Sequence, residues 1–204
     1  LPKTSAVNEY QFNEYFTKLH KEYDAIIHFS LSSELSATCN NAKNAAKNFK
    51  NVFIVDTKSL STGIALLAIY ARELVDEGLS AKDVYEKCVN RVEKVQASFE
   101  LKRLDYMHKG GRCSGLTLFA ANLLKIRPQI LLKDGKMIPG KKYKGNFAHV
   151  VKNYCQDVLE QFNTPDLSKA FITYTTADAE IVDIARAMLK EKGFKNIYET
   201  RAGA

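Results

Sequence analysis

Five hydroxyl side chains fall within nine consecutive residues of the segment SLSSELSAT, residues 30–38. They are Ser30, Ser32, Ser33, Ser36 and Thr38. The segment follows an apolar run and precedes an alanine-rich one, which places it between a predicted strand and a predicted helix. Hydroxyls at such a junction can cap the helix. They can also join the unpaired amides of the helix start to bind a carboxylate or a phosphate. The residues alone leave both explanations open.

A second hydroxyl-rich segment, DTKSLSTG, covers residues 56–63 and also follows an apolar run. The runs DAIIHFS from Asp24 and NVFIVD from Asn51 predict two buried strands, and the segments around them have the apolar spacing of helices. Alternating strands and helices predict an α/β domain with a parallel sheet. Because ligands collect at the carboxyl ends of parallel strands, the two hydroxyl-rich segments are the candidate site.

The second half of the chain has a different pattern, so we place a domain boundary near Ala97. The glycine-rich LDYMHKGGRCSG and the apolar, helix-like LTLFAANLLKI break the alternation. QILLKDGKMI predicts a hairpin with Asp134-Gly135 at its turn, and KAFITYTT and NIYET are strand-like segments around a helix. We therefore expect two domains, residues 1–97 and 98–204, with a mixed α/β fold in the second.

Composition limits the classes of function. Of the 204 residues, 46% are hydrophobic and 26% charged, which is typical of a globular protein with a buried core. The sequence has no apolar run long enough for a transmembrane helix and no signal segment at its start. Four scattered cysteines without a CxxC pair predict free thiols in a reducing cytoplasm and no zinc site. The net charge of +7 arises from cations mixed with 23 acidic residues, so we expect a solvated surface.

Two other function classes are open from the residues. His28 ends a predicted strand beside the first hydroxyl segment, which would suit a small hydrolase with a Ser–His pair, but no acid partner can be named. A pI of about 9.1 would suit a nucleic-acid-binding module, but no basic stripe with interleaved aromatics is present. The phosphate-loop, GxSxG and GxGxxG motifs are absent. By spacing alone, Arg112 in GGRCSG is equally suited to an anion and to an exposed turn.

Four segments resemble the DegV family of bacterial lipid-binding proteins in their order and spacing. They are KTS at residues 3–5, SSELSAT at 32–38, LDYMHKGGRCS at 104–114 and KIRPQILLKDGKM at 125–137. The resemblance covers nearly the whole chain, and the third segment is its most specific part. Members of this family are also described as the fatty-acid-binding subunits of fatty acid kinase.

The resemblance implies a two-domain α/β fold with one long-chain fatty acid buried between the domains and its acyl chain in an apolar tunnel. By position in the family motifs, Thr4 and Ser36 would hold the carboxylate, with Ser5 and Ala37 beside them. A separate fatty acid kinase would phosphorylate the bound acid. This chain would therefore present the substrate, need no cofactor and catalyse nothing itself.

The resemblance also suggests a partner surface. Arg112 follows two glycines, so we expect it in an exposed turn that meets the kinase subunit or, transiently, an anionic membrane surface. Lys144 is the other candidate, and it stands where the family commonly has Arg, so a bidentate contact there would be lost. No nucleic-acid partner is expected.

The chain departs from the family pattern at several positions. Ala37 and Cys39 stand where LSGTY has Gly and Tyr, and the added Cβ of Ala37 is expected to tighten the head-group pocket. KTSAV replaces KTSQP, so the loop after Ser5 is expected to bend differently. The family's N-terminal strand with its DS-type loop and its C-terminal strand with a His-Gly-Pro-Gly-type loop have no counterpart, which predicts a fragment or a trimmed chain.

Overall fold

The computed structural model describes residues 4–101 and 126–202 of the chain. The glycine-rich segment with Arg112 and the helix expected at LTLFAANLLKI lie outside these residues. Contacts divide the chain into two compact units. The first comprises Leu1–Ala97 and Leu132–Lys136, and the second comprises Ser98–Leu131 and Met137–Ala204. The tip of the predicted hairpin therefore belongs to the first unit, whereas a single boundary at Ala97 places the whole hairpin in the second.

The first unit alternates helices and strands. Its elements are α1 (Glu9–Leu19), β1 (Ile26–Ser30), α2 (Thr38–Ala46), β2 (Val52–Asp56), α3 (Thr62–Asp76) and α4 (Ala81–Arg91), followed by a short 3-10 helix (Val92–Lys94). Polar side chains cap two of the helices. Asn8 and Gln11 form a reciprocal capping box at the start of α1. The Ser80 hydroxyl accepts from the Asp83 amide at the start of α4.

The sheet of the first unit lies between two helical layers. β1 and β2 pair in parallel over five residue pairs, which brings Ser30 and Asp56 side by side at their carboxyl ends. α1 and α2 cover the face that carries Ile54, where Phe16 is fully buried. α3 and α4 cover the opposite face, which carries Val55. Since helices cover both faces, the loops at the carboxyl ends of the strands are the natural position for a ligand.

A three-stranded sheet opens the second unit. β3 (Ser98–Glu100) runs antiparallel to β4 (Ile126–Lys133), which neighbours β5 (Lys136–Lys144). Asp134 and Gly135 connect β4 to β5 with φ angles of 52° and 81°. Two left-handed residues in succession form the type I′ turn that Asp-Gly favours. The predicted hairpin is therefore confirmed.

The second unit also contains a parallel pair of strands. After α5 (Phe147–Glu160), strands β6 (Lys169–Tyr174) and β7 (Asn196–Arg201) pair in parallel and are connected by α6 (Ala179–Lys192). Gly193 ends α6 in the left-handed conformation, with φ 97°. Antiparallel and parallel pairs in one unit confirm the predicted mixed α/β class, and the β1–β2 pair confirms the parallel sheet of the first.

The described ranges, 4–101 and 126–202, were searched for membrane-spanning helices, metal clusters and cysteine pairs. None of their helices combines the length and the apolar character needed to cross a membrane. Their His, Cys, Asp and Glu side chains form no cluster of three or more that could hold a metal ion. Three of the four cysteines lie in these ranges as free thiols, and they are Cys39, Cys88 and Cys155.

Candidate anion-binding site

The two hydroxyl-rich segments form adjacent loops at the carboxyl ends of β1 and β2. We call residues 31–37 loop 1 and residues 57–61 loop 2. The Ser32 amide in loop 1 donates to the Ser59 carbonyl in loop 2 at 3.0 Å. The Thr57 hydroxyl donates to the last carbonyl of β1 at 2.7 Å. These contacts hold the loops side by side, as expected of loops that follow neighbouring parallel strands.

Asp56, the last residue of β2, organises both loops. Its carboxylate accepts from the Ser33 amide and hydroxyl at 3.2 and 2.5 Å, and from the Lys58 amide at 3.3 Å. The Lys58 ammonium lies 3.1 Å from the same carboxylate and donates to the Ser33 hydroxyl at 3.0 Å. Burial alone would raise the pKa of Asp56, but these hydrogen bonds from Ser33 and Lys58 outweigh it and lower the pKa. Asp56 is therefore ionised at neutral pH, with Lys58 compensating its charge.

The Ser32 hydroxyl connects loop 1 to the hairpin turn. It is fully buried, donates to the Gly135 carbonyl at 2.7 Å and accepts from the Glu34 amide at 3.2 Å. The Ser32 carbonyl in turn accepts from the Ser36 amide at 3.2 Å. Ser32 and Ser33 thus shape loop 1 through bonds inside the protein, which removes them from the hydroxyls available to a ligand.

Ser36 and Thr38 lie at the start of α2. Their hydroxyl oxygens are 2.9 Å apart, and the Thr38 amide donates to the Ser36 hydroxyl at 3.2 Å. Two hydroxyls carry two hydrogens and their mutual bond uses one, so one O–H remains to donate elsewhere. The first turn of α2 holds no acidic residue, and among the described residues no group accepts from the amides of Cys39 and Asn40. Spare donors at the positive end of a helix suit a carboxylate.

The two departures in the LSATC segment, residues 35–39, have different environments. Ala37 occupies the N-cap position of α2 with φ −66° and ψ −10°, an ordinary right-handed conformation that a residue with a Cβ adopts without strain. Its side chain is exposed. Cys39 is fully buried in the core between α1, α2 and β2, and burial raises the pKa of its thiol. Cys39 therefore packs in the core, while Ala37 remains at the surface of loop 1.

Two buried hydroxyls next to the loops have no nitrogen or oxygen hydrogen-bond partner within the described part of the chain, and that of Ser30 interacts with the Cys39 thiol. They belong to Ser30, 1% exposed, and Ser59, 2% exposed. Ser59 faces Gly63 at the start of α3, where an added Cβ would lie 2.1 Å from the Ser59 oxygen. The glycine therefore makes room for this hydroxyl. Both side chains point into the protein, and we assign them no ligand.

Val7, three residues after Thr4, contacts the start of α2. The Val7 carbonyl accepts from the Asn41 side chain, on the first turn of α2, at 2.8 Å. Three residues span at most about 10 Å, so Thr4 lies within about that distance of Val7. Thr4 and Ser5 are exposed and form no hydrogen bond with the rest of the described chain. A joint role of Thr4 and Ser36 stays a prediction.

His28 lies in an aromatic environment rather than beside a nucleophile. Its ring contacts the rings of Phe12 and Phe16, with centroids 5.2 and 6.0 Å apart. Its Nε2 is buried without a hydrogen-bond partner among residues 4–101 and 126–202, and burial lowers its pKa. A nucleophile and its base need a hydrogen bond between them. The hydrolase hypothesis therefore has no supporting contact.

Sequence reasoning missed two residues that build loop 1. Asp56 ends a predicted strand and is followed two residues later by Lys58, and this pattern is a signal from which its role could have been predicted. Gly135 was expected in a hairpin turn, but its contact with Ser32 joins residues 103 positions apart. No local pattern along the chain predicts that contact.

The two residues predicted for a partner surface are only partly described. Lys144, the last residue of β5, is exposed. Arg112 lies outside the described residues. Their contact with a partner stays a prediction.

The family profile described as "Uncharacterised protein, DegV family" matches residues 1–204. The chain belongs to the DegV family. A "Fatty acid-binding protein" of Thermotoga maritima is 33% identical in an alignment 198 residues long, which covers 93% of this DegV chain and 67% of the relative.

Solved structures agree with this assignment. A DegV lipid-binding protein from Thermotoga maritima matches with a TM-score of 0.82 at 30% identity, covering 98% of this chain and 71% of the other. A second protein of that bacterium, described as revealing fatty acid binding function, matches with a TM-score of 0.81 at 29% identity, covering 98% and 70%. The predicted DegV-like α/β fold class is confirmed. These three relatives are named for lipid or fatty acid binding and not as enzymes.

Proposed function

We propose that this DegV chain binds one long-chain fatty acid and holds its carboxylate at the start of α2. The observation that carries the proposal is the spare hydroxyl hydrogen of the Ser36–Thr38 pair, at a helix start that has no acidic residue in its first turn. The names of relatives that bind fatty acids support a fatty acid carboxylate as the anion. No contact in the described residues favours a hydrolase or a nucleic-acid module instead.

In this proposal Ser36 and Thr4 each donate a hydroxyl hydrogen bond to the carboxylate, and Ser5 and Ala37 line the same position. The bond between Val7 and Asn41 supports the role of Thr4, because it keeps the N-terminal segment near the start of α2. Hydrogen bonds to a charged acceptor each contribute about 1.5 to 3 kcal/mol. Helix amides supply the remaining donors.

The acyl chain would lie in a buried apolar tunnel, as the family resemblance implies. Burying a methylene group contributes about 0.8 kcal/mol, so most of the affinity would come from the acyl chain. The carboxylate would determine the orientation of the bound fatty acid. A short-chain acid would then bind far more weakly than palmitic acid.

We further propose that a separate fatty acid kinase phosphorylates the bound acid, with Arg112 and Lys144 on the partner surface and transient contact with an anionic membrane. This chain would supply the substrate and no catalytic group. An Arg112→Ala variant should keep its fatty acid content and lose kinase-dependent phosphorylation. If the variant loses the lipid instead, Arg112 belongs to the ligand pocket.

Organic extraction and mass spectrometry test the central proposal. The purified chain should release fatty acid in a ratio near one per protein, and adding palmitic acid to the lipid-free chain should raise its Tm. Cetyl alcohol, which has the same chain length without a carboxylate, should raise the Tm less. Absence of both co-purifying acid and a Tm shift with palmitic acid would falsify the proposed function.

A further inference from the structure

The turn between β4 and β5 lies against loop 1. Residues Leu132–Lys136 belong to the first unit, although the strands on either side of them extend into the second. The Gly135 carbonyl accepts the buried Ser32 hydroxyl at 2.7 Å. Gly135 is itself buried, although it lies at the tip of a hairpin. A buried hydrogen bond between two distant segments fixes the position of both.

Charged side chains around this contact add a weaker connection. The Lys136 ammonium lies 3.4 Å from the Glu34 carboxylate, and the Lys58 ammonium lies 3.9 Å from it. The side chains of Lys136 and Glu34 are 65% and 39% exposed, so solvent screens their attraction. The buried bond from Ser32 to Gly135 is therefore the principal connection.

The turn can approach loop 1 this closely only with glycine at position 135. Its φ of 81° belongs to the left-handed region, where a side chain is strained. An added Cβ would also lie 2.5 Å from the Ser32 hydroxyl oxygen and 2.8 Å from the Lys58 side chain. Glycine is thus required both for the conformation and for the close approach.

Ser32 transmits this contact to the start of α2. Its carbonyl accepts from the Ser36 amide at 3.2 Å, so a displaced Ser32 displaces the backbone that carries the Ser36 hydroxyl. We infer that the Asp134–Gly135 turn is a positioning element that holds loop 1 in the geometry needed to bind a carboxylate. The inference rests on the proposed function and adds to it two positioning residues, Gly135 and Ser32.

The test compares Gly135→Ala with Gly78→Ala. Gly78 follows α3 with a similar φ of 86°, but a Cβ added there meets no atom within 4 Å. Both substitutions introduce the same backbone strain, and only one disturbs loop 1. Affinities of the lipid-free proteins for palmitic acid and for cetyl alcohol are measured beside their Tm values.

We expect Gly135→Ala to bind palmitic acid about tenfold more weakly, the effect of losing one hydrogen bond to a charged group. Its affinity for cetyl alcohol should not change, because the alcohol has no carboxylate for loop 1 to hold. Gly78→Ala should lose Tm and keep both affinities. A general loss of structure would weaken acid and alcohol alike, so the difference between the two ligands identifies positioning.

A second variant covers the case in which Gly135→Ala does not fold. Ser32→Ala removes the hydroxyl without backbone strain and should show the same selective loss for palmitic acid. Ser80→Ala, which removes a hydroxyl that caps α4, is its control and should change Tm alone.

Unchanged palmitic acid affinity in both Gly135→Ala and Ser32→Ala overturns the inference and leaves the proposed function in place. Equal weakening of acid and alcohol overturns it as well. If the unsubstituted chain does not bind palmitic acid, the proposed function is wrong and the inference is wrong with it.

Discussion

Hydroxyl-rich segments lead from a parallel strand into a helix in both units, after β1 and β2 in the first and after β6 in the second. We call the passage from β1 into α2 the first junction and the passage from β6 into α6 the second. At the first, Ser30 and Ser32 are buried. At the second, Thr175 and Thr176 are exposed. Hydroxyls after a strand are therefore common to both junctions and cannot by themselves define a site.

The helix starts differ in charge. The N-cap of α6 is Asp178, and Glu180 lies in its first turn, so the helix supplies anions for its own positive end. The first turn of α2 contains no acidic residue, and Ala37 at its N-cap makes no side-chain capping bond. A helix start without its own acid is open to an external carboxylate. This difference in charge distinguishes the two junctions more clearly than the number of hydroxyls.

The largest expected effect comes from giving α2 the acid that α6 already has. Ala37→Asp should weaken palmitic acid binding by about 100-fold or more, because two carboxylates about 5 Å apart at an effective dielectric of about 20 repel by about 3 kcal/mol. Tm should hold or rise slightly, since a negative charge suits a helix start. The measurement is a titration with palmitic acid beside a thermal melt.

Ala37→Asn is the matched control, because it has nearly the same shape without the charge. It should retain most of the affinity. Full palmitic acid affinity in Ala37→Asp would exclude the start of α2 as the carboxylate site.

A smaller effect is expected from Asp56, which organises the loops at the first junction only. Asp56→Asn should lower the free energy of unfolding at pH 7 by about 2 kcal/mol, because it weakens charge-assisted bonds in a site whose side chain is 12% exposed. The folded pKa of Asp56 lies below its ordinary value. Its contribution is therefore present above the unfolded pKa of about 4 and is lost as the pH falls through the folded pKa.

Thermal melts between pH 7 and pH 2.5 measure this contribution. The Asp56→Asn variant should show a shallower loss of Tm with acid than the unsubstituted chain. Asp183→Asn, on the exposed surface of α6, is the control and should follow the unsubstituted curve. Parallel curves for all three proteins would contradict the assigned role of Asp56.

Removing either hydroxyl that is predicted to hold the ligand should have the next smaller effect. Thr4→Val and Ser36→Ala should each weaken palmitic acid binding by roughly tenfold, the loss of one hydrogen bond to a charged acceptor. Ser36→Ala should also lower Tm, because the Thr38 amide loses its acceptor. Thr176→Val, at the second junction, should change neither quantity. If both loop variants bind palmitic acid normally, these two hydroxyls are not part of the site.

The smallest effect is expected at the second junction's surface. Arg186 on α6 pairs with Asp183 and with Glu199 of β7. The pairs are exposed to solvent and screened by salt, so Arg186→Ala should lower Tm by less than about 3 °C, and less still in high salt. Palmitic acid affinity should not change. If Arg186→Ala lowers Tm as much as Asp56→Asn does, the exposed contacts of Arg186 and the buried contacts of Asp56 contribute equally to stability, and the expected difference is wrong.

Local patterns predicted most of the elements. The apolar runs of β1 and β2 and the Asp134–Gly135 turn are all predicted from adjacent residues. Each depends on residues within a few positions of the chain, through the apolar pattern of a buried strand or the φ angles that glycine permits. Such features are determined by residues close to them in the sequence. The same holds for the absence of acidic residues in the first turn of α2.

The sequence by itself determined the α/β class, the two hydroxyl-rich loops and the family resemblance. Only the tertiary structure decided which hydroxyls serve the fold. It bonds Ser33 to Asp56 and Ser32 to Gly135, and it leaves the Ser36–Thr38 pair with a hydrogen to donate. These partners lie 23 and 103 positions from their serines. A hydroxyl has the same chemistry at every position, so its role depends on the acceptor that the fold brings to it. That acceptor is determined by the pairing of parallel strands and by the hairpin, and not by neighbouring residues in the chain.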